Sequence, residues 1–409
     1  MPSFRKQTDI IENDMVLGED WVPKELPERE TELSQMYEAL SPATRGFTPD
    51  NMFLYGKAGQ GKTAATRSAL NDLKHFFEDE MPEELTPVYV SCNELSSSYQ
   101  VTGQLLVELN EDVTERPNGH APDILYSRLF GRLDEIGGTI VIVFDEIDAI
   151  GDDDQILYQI PRAHSNGKLE EAKVSFIGIS NDFSFRDNLS PKVKDTLYDY
   201  VIDFPSYDSE QLCDILTRRA DIALAEDVLD DGVIELCSAY AAKDEGSARQ
   251  AINHLYKASK MAQTDGDDVV TTDHVETAHD ILKRNHVMEG IRGLTPQNKY
   301  VLTAVTLLEV REETPARTGE VYPVYREIAE SVGSEPLVRR RMRDHLQELS
   351  LHGQIALTSQ SGGVKGGTYY VAELNTDLEA TITVLSEVDE AMHEVAEDLR
   401  AIAEMKGML

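Results

Sequence analysis

The segment GKAGQGKT at residues 56–63 is the feature that most restricts how this chain can fold. It follows the apolar run NMFLY and precedes TAATRSALNDL, a stretch of helix-forming residues. Glycines allow backbone N–H groups to converge on phosphate oxygens, and the amino end of the helix adds a positive dipole. The pattern therefore predicts a strand, a phosphate-binding loop and a helix, in that order.

A nucleoside triphosphate, ATP, is the predicted ligand of this loop. Lys62 would neutralise the outer phosphates, and the Thr63 hydroxyl would hold a magnesium ion. A glycine-rich turn without a ligand is the alternative, and the strand-helix setting disfavours it. The loop residues predicted to contact the nucleotide are Gly56, Gly59, Gln60, Gly61, Lys62, Thr63, Ala64 and Ala65.

Short β-branched runs alternate with helical stretches between residues 51 and 204. The runs are NMFLY, PVYVS, TIVIVF, VSFIGIS and YVIDF. Continuous apolar runs are typical of central strands in a parallel sheet that helices cover on both faces. The pattern predicts an α/β fold in which the phosphate-binding loop follows the first strand.

Two of these runs end in polar residues at the edge of the predicted sheet that carries the loop. TIVIVF is followed by Asp145 and Glu146, and VSFIGIS by Asn181. Asp145 is predicted to hold magnesium and Glu146 to orient or deprotonate the attacking water, because phosphoryl transfer depends on positioning and charge neutralisation. The Asn181 amide is predicted to contact that water or the γ-phosphate, with simple strand capping as the alternative.

The rest of the chain changes to a helical period. Helix starts are predicted at Asp208, Ser247 and Thr272, and further helices followed by a hairpin around SGGVKGG predict a winged helix. After residue 377, apolar spacings of three and four predict one acidic helix that packs on its own domain or dimerises as a coiled coil. The predicted domains are 1–205 for nucleotide binding, 206–290 for a helical lid, 291–375 for the winged helix and 376–409 for the C-terminal helix.

The chain carries 75 acidic and 38 basic residues, a net charge of −37 spread along its length. An apolar content of 41% and clear periodicity argue against disorder. Adaptation to high intracellular salt is our interpretation, since molar salt shortens the Debye length to about 3 Å, and an ordinary solvated acidic surface is the alternative. The lack of a long apolar run, of a secretory signal and of paired cysteines predicts a cytoplasmic protein, away from any membrane.

Residues 336–370 depart from this acidity, with five basic residues against two acidic ones. A helical wheel of SEPLVRRRMRDHLQELSLHG places Val338, Met342, Leu346 and Leu349 on one face and basic residues on the other. Such a helix can enter a major groove, while SGGVKGG suits a wing. The residues predicted to bind DNA are Arg339, Arg340, Arg343, Gln347 and Lys365, with a merely solvent-exposed basic face as the alternative.

In their order, these segments resemble the AAA+ ATPases, and the ordered set resembles the archaeal origin-recognition and cell-division-cycle type replication initiators. The similarity extends over nearly the whole chain through WVPKELPERE, GKAGQGKTAA, IVIVFDEIDAI, FIGISND, LSPKVKDTL, FPSYDSEQLCDILTRRA, EGSARQAINHLYKASKMA and the winged helix. It implies an ATP-controlled initiator whose partners are double-stranded origin DNA, a replicative helicase and other initiator copies, at the nucleoid of a halophilic archaeon.

The resemblance also implies roles for individual residues. Asn181 matches the first nucleotide sensor of the family, and Arg249 the lid arginine that reaches the γ-phosphate. Tyr207 and Arg219 match nucleotide contacts on the lid side. Val22 and Pro23 match the N-terminal segment that lines the adenine.

Two departures from the family leave alternatives open. Lys192 stands where the family has the arginine that completes a neighbour's site, and lysine lacks the planar fork of arginine. Residues 93–120, which match a DNA-contacting insert, contain five acidic residues and one basic residue. A DNA-binding regulator that keeps ATP or ADP without turnover is therefore the second hypothesis, and an ATP-driven clamp loader or remodelling ATPase is the third.

Overall fold

The computed structural model of the chain describes residues 10–18, 21, 23, 25–109, 119–195, 199–361, 368–388 and 392–409. The chain divides into two units, Met1–Val275 and Glu276–Leu409. Among the helices that the structure describes, none combines the length and the apolar character needed to cross a bilayer.

The first unit is built around the predicted parallel sheet. In the described part of the chain its strands are β1 (Asn51–Tyr55), β2 (Leu85–Ser91), β3 (Thr139–Asp145), β4 (Lys173–Ser180) and β5 (Asp199–Asp203). They pair in the order β2-β3-β4-β1-β5. The helices of this part are α1 (Glu30–Leu40), α2 (Lys62–Glu80), α3 (Ser98–Glu108), α4 (Pro122–Ile136), α5 (Gln155–Gln159), α6 (Phe185–Asn188) and α7 (Pro191–Lys194). All five predicted strands are confirmed.

The residues of β3 show why this sheet is buried on both faces. Ile140, Ile142 and Phe144 point into one hydrophobic cluster. Val141 and Val143, the alternate residues, point into a second cluster on the opposite face. Because neighbouring side chains of a strand face opposite ways, an unbroken apolar run requires two cores.

Strand order places the candidate functional residues at one edge of the sheet. β4 lies between β3 and β1, and all three run parallel. β1 leads into the glycine-rich loop, β3 ends at Asp145, and Asn181 directly follows β4. The carboxyl ends of these strands therefore bring the loop, the carboxylates and the amide together.

The lid consists of α8 (Ser209–Ala223), α9 (Val233–Asp244), α10 (Ala248–Asp265) and the start of α11 (Thr272–Arg292). Asp208 and Gln211 form a reciprocal capping box at α8. The Ser247 hydroxyl accepts the Gln250 N–H at the start of α10. These caps satisfy backbone donors that a helix start would leave unpaired, which is why the sequence located both starts correctly.

The N-terminal segment of the first unit pairs with the lid. Ile11 and Leu224 form an isolated antiparallel bridge. The N–H groups of Glu12 and Asn13 donate to the Ala223 carbonyl at 2.9 and 3.0 Å, and Ala225 donates to the carbonyl of Ile10 at 3.0 Å. This segment is therefore held by the end of α8.

The second unit contains the predicted winged helix. Its elements are α12 (Pro296–Val310), β6 (Ala316–Arg317), α13 (Thr318–Ser331), α14 (Arg339–Leu351), β7 (Ile355–Ser361) and β8 (Thr368–Leu374). Within the described residues, the strands form an antiparallel sheet in the order β6-β8-β7. The short strand β6 was not predicted, since two residues give no periodic pattern.

One residue of the basic helix lies on a different face from the one predicted. Met342, Leu346 and Leu349 are fully buried, as expected, but Val338 is 66% exposed. Val338 is the N-cap of α14 and has the extended angles φ −67° and ψ 150°. Because it precedes the helix, the 3.6-residue period does not apply to it.

The single C-terminal helix predicted from the sequence is wrong. The structure has two helices there, α15 (Leu378–Val388) and α16 (His393–Met405). Val384 and Leu385 pack into the core of the winged helix. Leu399 packs with Val310 and Ile382. The apolar stripe is thus covered within its own unit, which removes the need for a coiled-coil partner.

Replacing Leu385 with alanine should destabilise the second unit by about 2–5 kcal/mol, because a fully buried leucine leaves a cavity. Native-state hydrogen exchange of α14 and α15 would report this free energy of opening. Met405, which is 80% exposed, provides the matched control, and its replacement by alanine should change stability by less than about 0.5 kcal/mol. Equal losses in both variants, or protection that rises with protein concentration, would contradict this packing.

Candidate functional site

The phosphate-binding loop has the backbone geometry that its glycines predict. Gly59 has a φ of 77°, in the left-handed region, and a Cβ there would overlap the Ser247 hydroxyl. Only glycine fits a position that combines this angle with so close an approach. The loop therefore depends both on its own glycines and on a lid residue nearly 190 positions away.

The Lys62 ammonium lies at the centre of the loop. It donates to the carbonyls of Gly56 and Lys57 at 2.6 and 2.7 Å and to Oδ1 of Asn181 at 2.9 Å. Burial lowers the pKa of Lys62 to about 8, and the Asp145 carboxylate opposes that shift. These contacts hold the cation beside the Asn181 amide, where both can meet an outer phosphate.

Thr63 and Asp145 provide oxygen atoms suited to a magnesium ion. The Thr63 hydroxyl donates to Oδ2 of Asp145 at 2.9 Å, which joins the start of α2 to the end of β3. Hydroxyl and carboxylate oxygens are hard ligands of the kind that magnesium prefers. The two residues therefore fit the predicted metal.

Glu146 follows Asp145 with an unusual backbone. Its φ is 56°, a left-handed value that only a few non-glycine residues of this chain adopt among those described. Burial, followed by the charges of Asp145 and Asp148, raises the pKa of the Glu146 carboxyl. A strained backbone and a carboxyl with increased basicity are typical of a residue that orients or deprotonates water.

Asn181 is fixed from two sides. Its side chain accepts from Lys62, and its backbone N–H donates to Oδ1 of Asp148 at 3.2 Å. The amide therefore lies between the loop and the carboxylates. Asp148, the second aspartate of DEID, was not singled out from the sequence and takes part in this arrangement.

The amino end of α10 packs directly on the phosphate-binding loop. Ala248 donates to the Gly59 carbonyl at 3.1 Å, and the Gln60 side chain donates to the Glu245 carbonyl at 3.3 Å. Arg249 lines the same cavity as Lys62 and Glu146, and its charge affects the pKa of both. Arg249 of the lid thus lines the part of the cavity that Lys62 and Glu146 also line.

Arg29 is a central residue that the sequence reasoning missed. Its guanidinium is 1% exposed and stacks 3.7 Å from the centre of the Tyr207 ring. It donates to the Gln60 carbonyl at 3.0 Å and to the Pro205 carbonyl at 2.6 Å, and forms an ion pair with Glu32 at 3.1 Å. One buried cation therefore ties the phosphate-binding loop to the segment that leads into the lid.

The N-terminal segment and the lid add apolar side chains to this cavity. The cavity has a volume of about 840 Å³ and includes Trp21, Pro23, Leu26 and Ile222 in its lining. A space of this size that combines apolar side chains with charged and polar ones suits a nucleotide. Val22, also predicted here, lies outside the described residues.

Arg219 lines this cavity in a way that the sequence did not predict. Its guanidinium stacks 4.0 Å from the Trp21 ring centre and donates to the carbonyls of Val16 and Trp21. Burial lowers the pKa of Arg219 to about 10. Arg219 therefore holds the segment that closes the cavity, and Trp21, the only tryptophan of the chain, lies in that contact.

Most of the residues predicted to contact the nucleotide line one cavity. Two exceptions are Gly56 and Ala65, which do not line the cavity. Ala65 is fully buried in the core beneath α2, while Gly56 acts through its carbonyl on Lys62. The predicted residues that line one cavity are Pro23, Gly59, Gln60, Gly61, Lys62, Thr63, Ala64, Asp145, Glu146, Asn181, Tyr207, Arg219 and Arg249.

The second unit presents a polar face on α14. Arg340, Arg343 and Gln347 are exposed, opposite the buried Met342 and Leu346. Arg339 is also exposed, and its guanidinium lies against Gly319 at the start of α13. Lys365, predicted in the wing, lies outside the described residues.

Comparison with known families matches the three parts of this fold in turn. Residues 25–169 match the AAA ATPase domain, residues 213–280 the Cdc6 AAA+ ATPase-type lid domain, and residues 289–384 the CDC6, C terminal winged helix domain. ORC1-type DNA replication protein 11 of Haloarcula marismortui is 45% identical over 386 residues, covering 94% of this chain and 93% of that protein. The chain belongs to the ORC1-type DNA replication proteins.

Other relatives agree with this family. ORC1-type DNA replication protein 10 of Halobacterium salinarum is 39% identical and covers 100% of this chain and 99% of its own length. The solved structure of the Aeropyrum pernix ORC1 protein in complex with DNA is 34% identical, with a TM-score of 0.78, covering 94% of this chain and 99% of that one. The resemblance and the AAA+, lid and winged-helix fold predicted from the sequence are confirmed, and the halophilic relatives fit the interpretation of the acidic charge.

Replacing Arg29 with lysine should weaken ATP binding although Arg29 does not line the cavity. Arg29 reaches Gln60, Glu32 and Pro205 with three different nitrogens, whereas lysine keeps the charge but has a single nitrogen that cannot reach all three acceptors. Each hydrogen bond from a charged group contributes about 1.5–3 kcal/mol. We expect at least a tenfold loss of affinity, measured by titration calorimetry in molar potassium chloride. The exposed Arg45, replaced by lysine, is the control, and unchanged affinity in the Arg29 variant would show that the tie is not required.

Proposed function

We propose that this initiator binds double-stranded DNA at replication origins through α14 and the wing, and that ATP binding switches it between states for origin recognition and helicase loading. Slow hydrolysis to ADP would reset the switch. The observation that carries this proposal is the presence, on one chain, of a cavity with a full set of phosphate-directed residues and of an exposed basic helix in a winged-helix fold. Its partners are origin DNA, the replicative helicase and further initiator copies.

The residues of the first unit supply distinct parts of the ATP chemistry. Lys62 neutralises the outer phosphates, and Glu146 orients or deprotonates the attacking water. The Asn181 amide contacts that water or the γ-phosphate. Magnesium, held by Thr63 and Asp145, would neutralise charge on the phosphates. Arg249 contacts the γ-phosphate from the lid, so that loss of this phosphate removes a lid contact.

This lid contact offers a physical basis for a switch. The lid already contacts the phosphate-binding loop, because Ala248 of α10 donates to the Gly59 carbonyl and the Gln60 side chain donates to the Glu245 carbonyl at the end of α9. A ligand shifts an equilibrium only by its different affinity for the two states, and a γ-phosphate that bonds Arg249 provides such a difference. ATP and ADP would therefore favour different lid positions.

The charge distribution of the second unit supports DNA binding. Residues 336–370 carry five basic and two acidic residues in a chain of net charge −37. Arginine can bind a guanine edge bidentately and glutamine an adenine edge, and both kinds of residue are exposed on α14. The similar Aeropyrum pernix ORC1 protein has been solved in complex with DNA.

High salt explains how an acidic protein can bind DNA with few basic residues. Counterion release contributes little to binding when the surrounding salt is already molar. Affinity must then come from base contacts, DNA shape and water more than from the number of phosphate contacts. Binding at high salt should consequently be more dependent on sequence than binding by a strongly basic domain.

Lys192 is the reason to propose slow turnover. Its ammonium lies 5.1 Å from the centre of the Tyr158 ring on the first unit. A lysine supplied to a neighbouring copy would offer a point charge without the two-pronged fork that stabilises a transferring phosphoryl group. This observation also favours the second candidate function, a DNA-binding regulator that retains ATP or ADP and never hydrolyses it.

Replacing Arg340 and Arg343 together with alanine should reduce discrimination between origin and scrambled duplexes at least tenfold, because each good base contact contributes about 1–3 kcal/mol. The affinities for the two duplexes would be measured by fluorescence anisotropy in molar potassium chloride. Arg311→Ala, at an exposed arginine after α12, is the control for loss of one positive charge and is compared with each single variant, Arg340→Ala and Arg343→Ala. If the native chain shows no preference for origin DNA, the proposed function fails.

Replacing Glu146 with glutamine separates the two candidate functions. For a switch, ATP binding should persist while hydrolysis slows by about a hundredfold or more, and cells carrying the variant should initiate replication abnormally. A regulator with a permanent nucleotide predicts unchanged cellular function. Lys62→Ala is the companion variant, and it should abolish nucleotide binding in either case.

A further inference from the structure

Val338 is an apolar side chain held in the solvent at the start of the basic helix. It is 66% exposed, while the nearest apolar residue of α14, Met342, is fully buried. Its backbone is extended and serves as the N-cap of α14 without a side-chain capping bond. A valine cannot cap a helix, and serine, threonine or aspartate would do so better. The side chain of Val338 therefore contributes neither to the core nor to the helix cap, although its carbonyl accepts the Met342 N–H.

The backbone that carries Val338 is fixed by two tyrosines of α13. The Leu337 N–H donates to the Tyr325 hydroxyl at 2.8 Å, and the Tyr322 hydroxyl donates to the Leu337 carbonyl at 3.1 Å. Tyr325 is fully buried, and its hydroxyl also donates to Gln297 at 2.5 Å. Both backbone polar groups of Leu337 are thus held in place, which fixes the backbone position from which Val338 projects.

The neighbours of Val338 leave its apolar surface uncovered. The guanidinium of Arg339 is directed to Gly319 at the start of α13, where a Cβ would approach it to 2.8 Å. Further exposed polar residues of the same helix are Arg340, Arg341, Arg343, Asp344 and Gln347, and all but Asp344 can donate hydrogen bonds. A single rigid apolar group therefore stands at the amino end of a row of groups that can donate hydrogen bonds.

We propose that Val338 is a specificity-determining residue that contacts the C5-methyl group of a thymine in the major groove. This inference rests on the proposed function, since it assumes that α14 enters the groove. The first turn of a recognition helix lies closest to the base edges. Among those edges the thymine methyl is the apolar group, so an exposed valine matches thymine while the arginines and Gln347 match guanine and adenine.

The charge of the surroundings favours DNA as the occupant over an apolar protein surface. Arg339, Arg340, Arg341 and Arg343 all lie within five positions of Val338. A protein partner that covered Val338 would have to desolvate several of these guanidinium groups, which apolar contacts do not offset. A DNA groove instead places phosphates beside the arginines and a methyl group beside the valine.

The test combines a protein variant with a change in the DNA. Duplexes would be selected from a random pool by the full-length chain with ATP in molar potassium chloride, and each thymine of the selected sequence would be replaced in turn by deoxyuridine. At one position per binding site, loss of the methyl should weaken binding by the native chain about fourfold, as expected for one buried methyl. Val338→Ala should bind the thymine duplex about fourfold more weakly and lose nothing further with deoxyuridine.

Leu351→Ala is the matched control, because Leu351 is 87% exposed at the other end of the same helix, about 20 Å away. It should keep the full effect of deoxyuridine. If no thymine of the selected sequence shows a deoxyuridine effect that depends on Val338, this assignment is overturned and the proposed function stands. Binding without any selected sequence also overturns it, while the absence of DNA binding overturns both.

A protein-contact role would give a different result. In that case Val338→Ala would alter self-association, measured by sedimentation in molar potassium chloride, and leave every DNA affinity unchanged. Such an outcome assigns the valine to an interface between chains and rejects the thymine contact. Because Val338 is exposed, thermal unfolding of the variant should match that of the native chain, so that a change in binding reports the contact itself.

Discussion

Strands β3, β4 and β1 run parallel and side by side, and their carboxyl ends meet at one edge of the sheet. The nucleotide site of the first unit depends on this arrangement, because Asp145, Asn181 and the phosphate-binding loop each continue one of these strands. The hydrogen bonds from Thr63 to Asp145 and from Lys62 to Asn181 follow from it. The two hydrophobic cores on either face hold the strands in this register.

Long-range contacts then connect that edge to the lid. Arg29 joins the Gln60 carbonyl to Pro205 and stacks on Tyr207, while Arg219 holds the N-terminal segment over the base end of the cavity. A buried guanidinium is stable only when its donors are paired, so these contacts specify one arrangement of loop, lid and N-terminal segment. These contacts join the phosphate-binding loop to the lid, which is the physical basis of the proposed nucleotide switch.

The proposed role of the second unit sets a different physical problem, which is to bind a polyanion with a strongly acidic chain. Its solution is local: a core of Met342, Leu346 and Leu349 leaves arginines on the outer face of α14. In molar salt the long-range repulsion between the chain and DNA is screened over a few ångströms, so the short-range contacts of this helix decide binding. Under these conditions the fixed positions of the α14 side chains would contribute more to DNA affinity than the total charge of the chain.

The sequence by itself determined the five strands, the capped starts of α8 and α10, the winged helix and most of the residues that line the candidate nucleotide cavity. These features follow from periodicity, capping residues and glycine positions, which act over a few neighbouring residues. Tertiary structure alone decided the role of Arg29, whose partner Pro205 is 176 positions away, the exposure of Val338 and the packing of α15 and α16 as two separate helices. Local patterns do not encode these features, because each depends on which distant surface a residue meets when the chain is folded. Arg29 in PERE and Val338 before α14 have no sequence neighbours that distinguish them from ordinary charged or apolar residues.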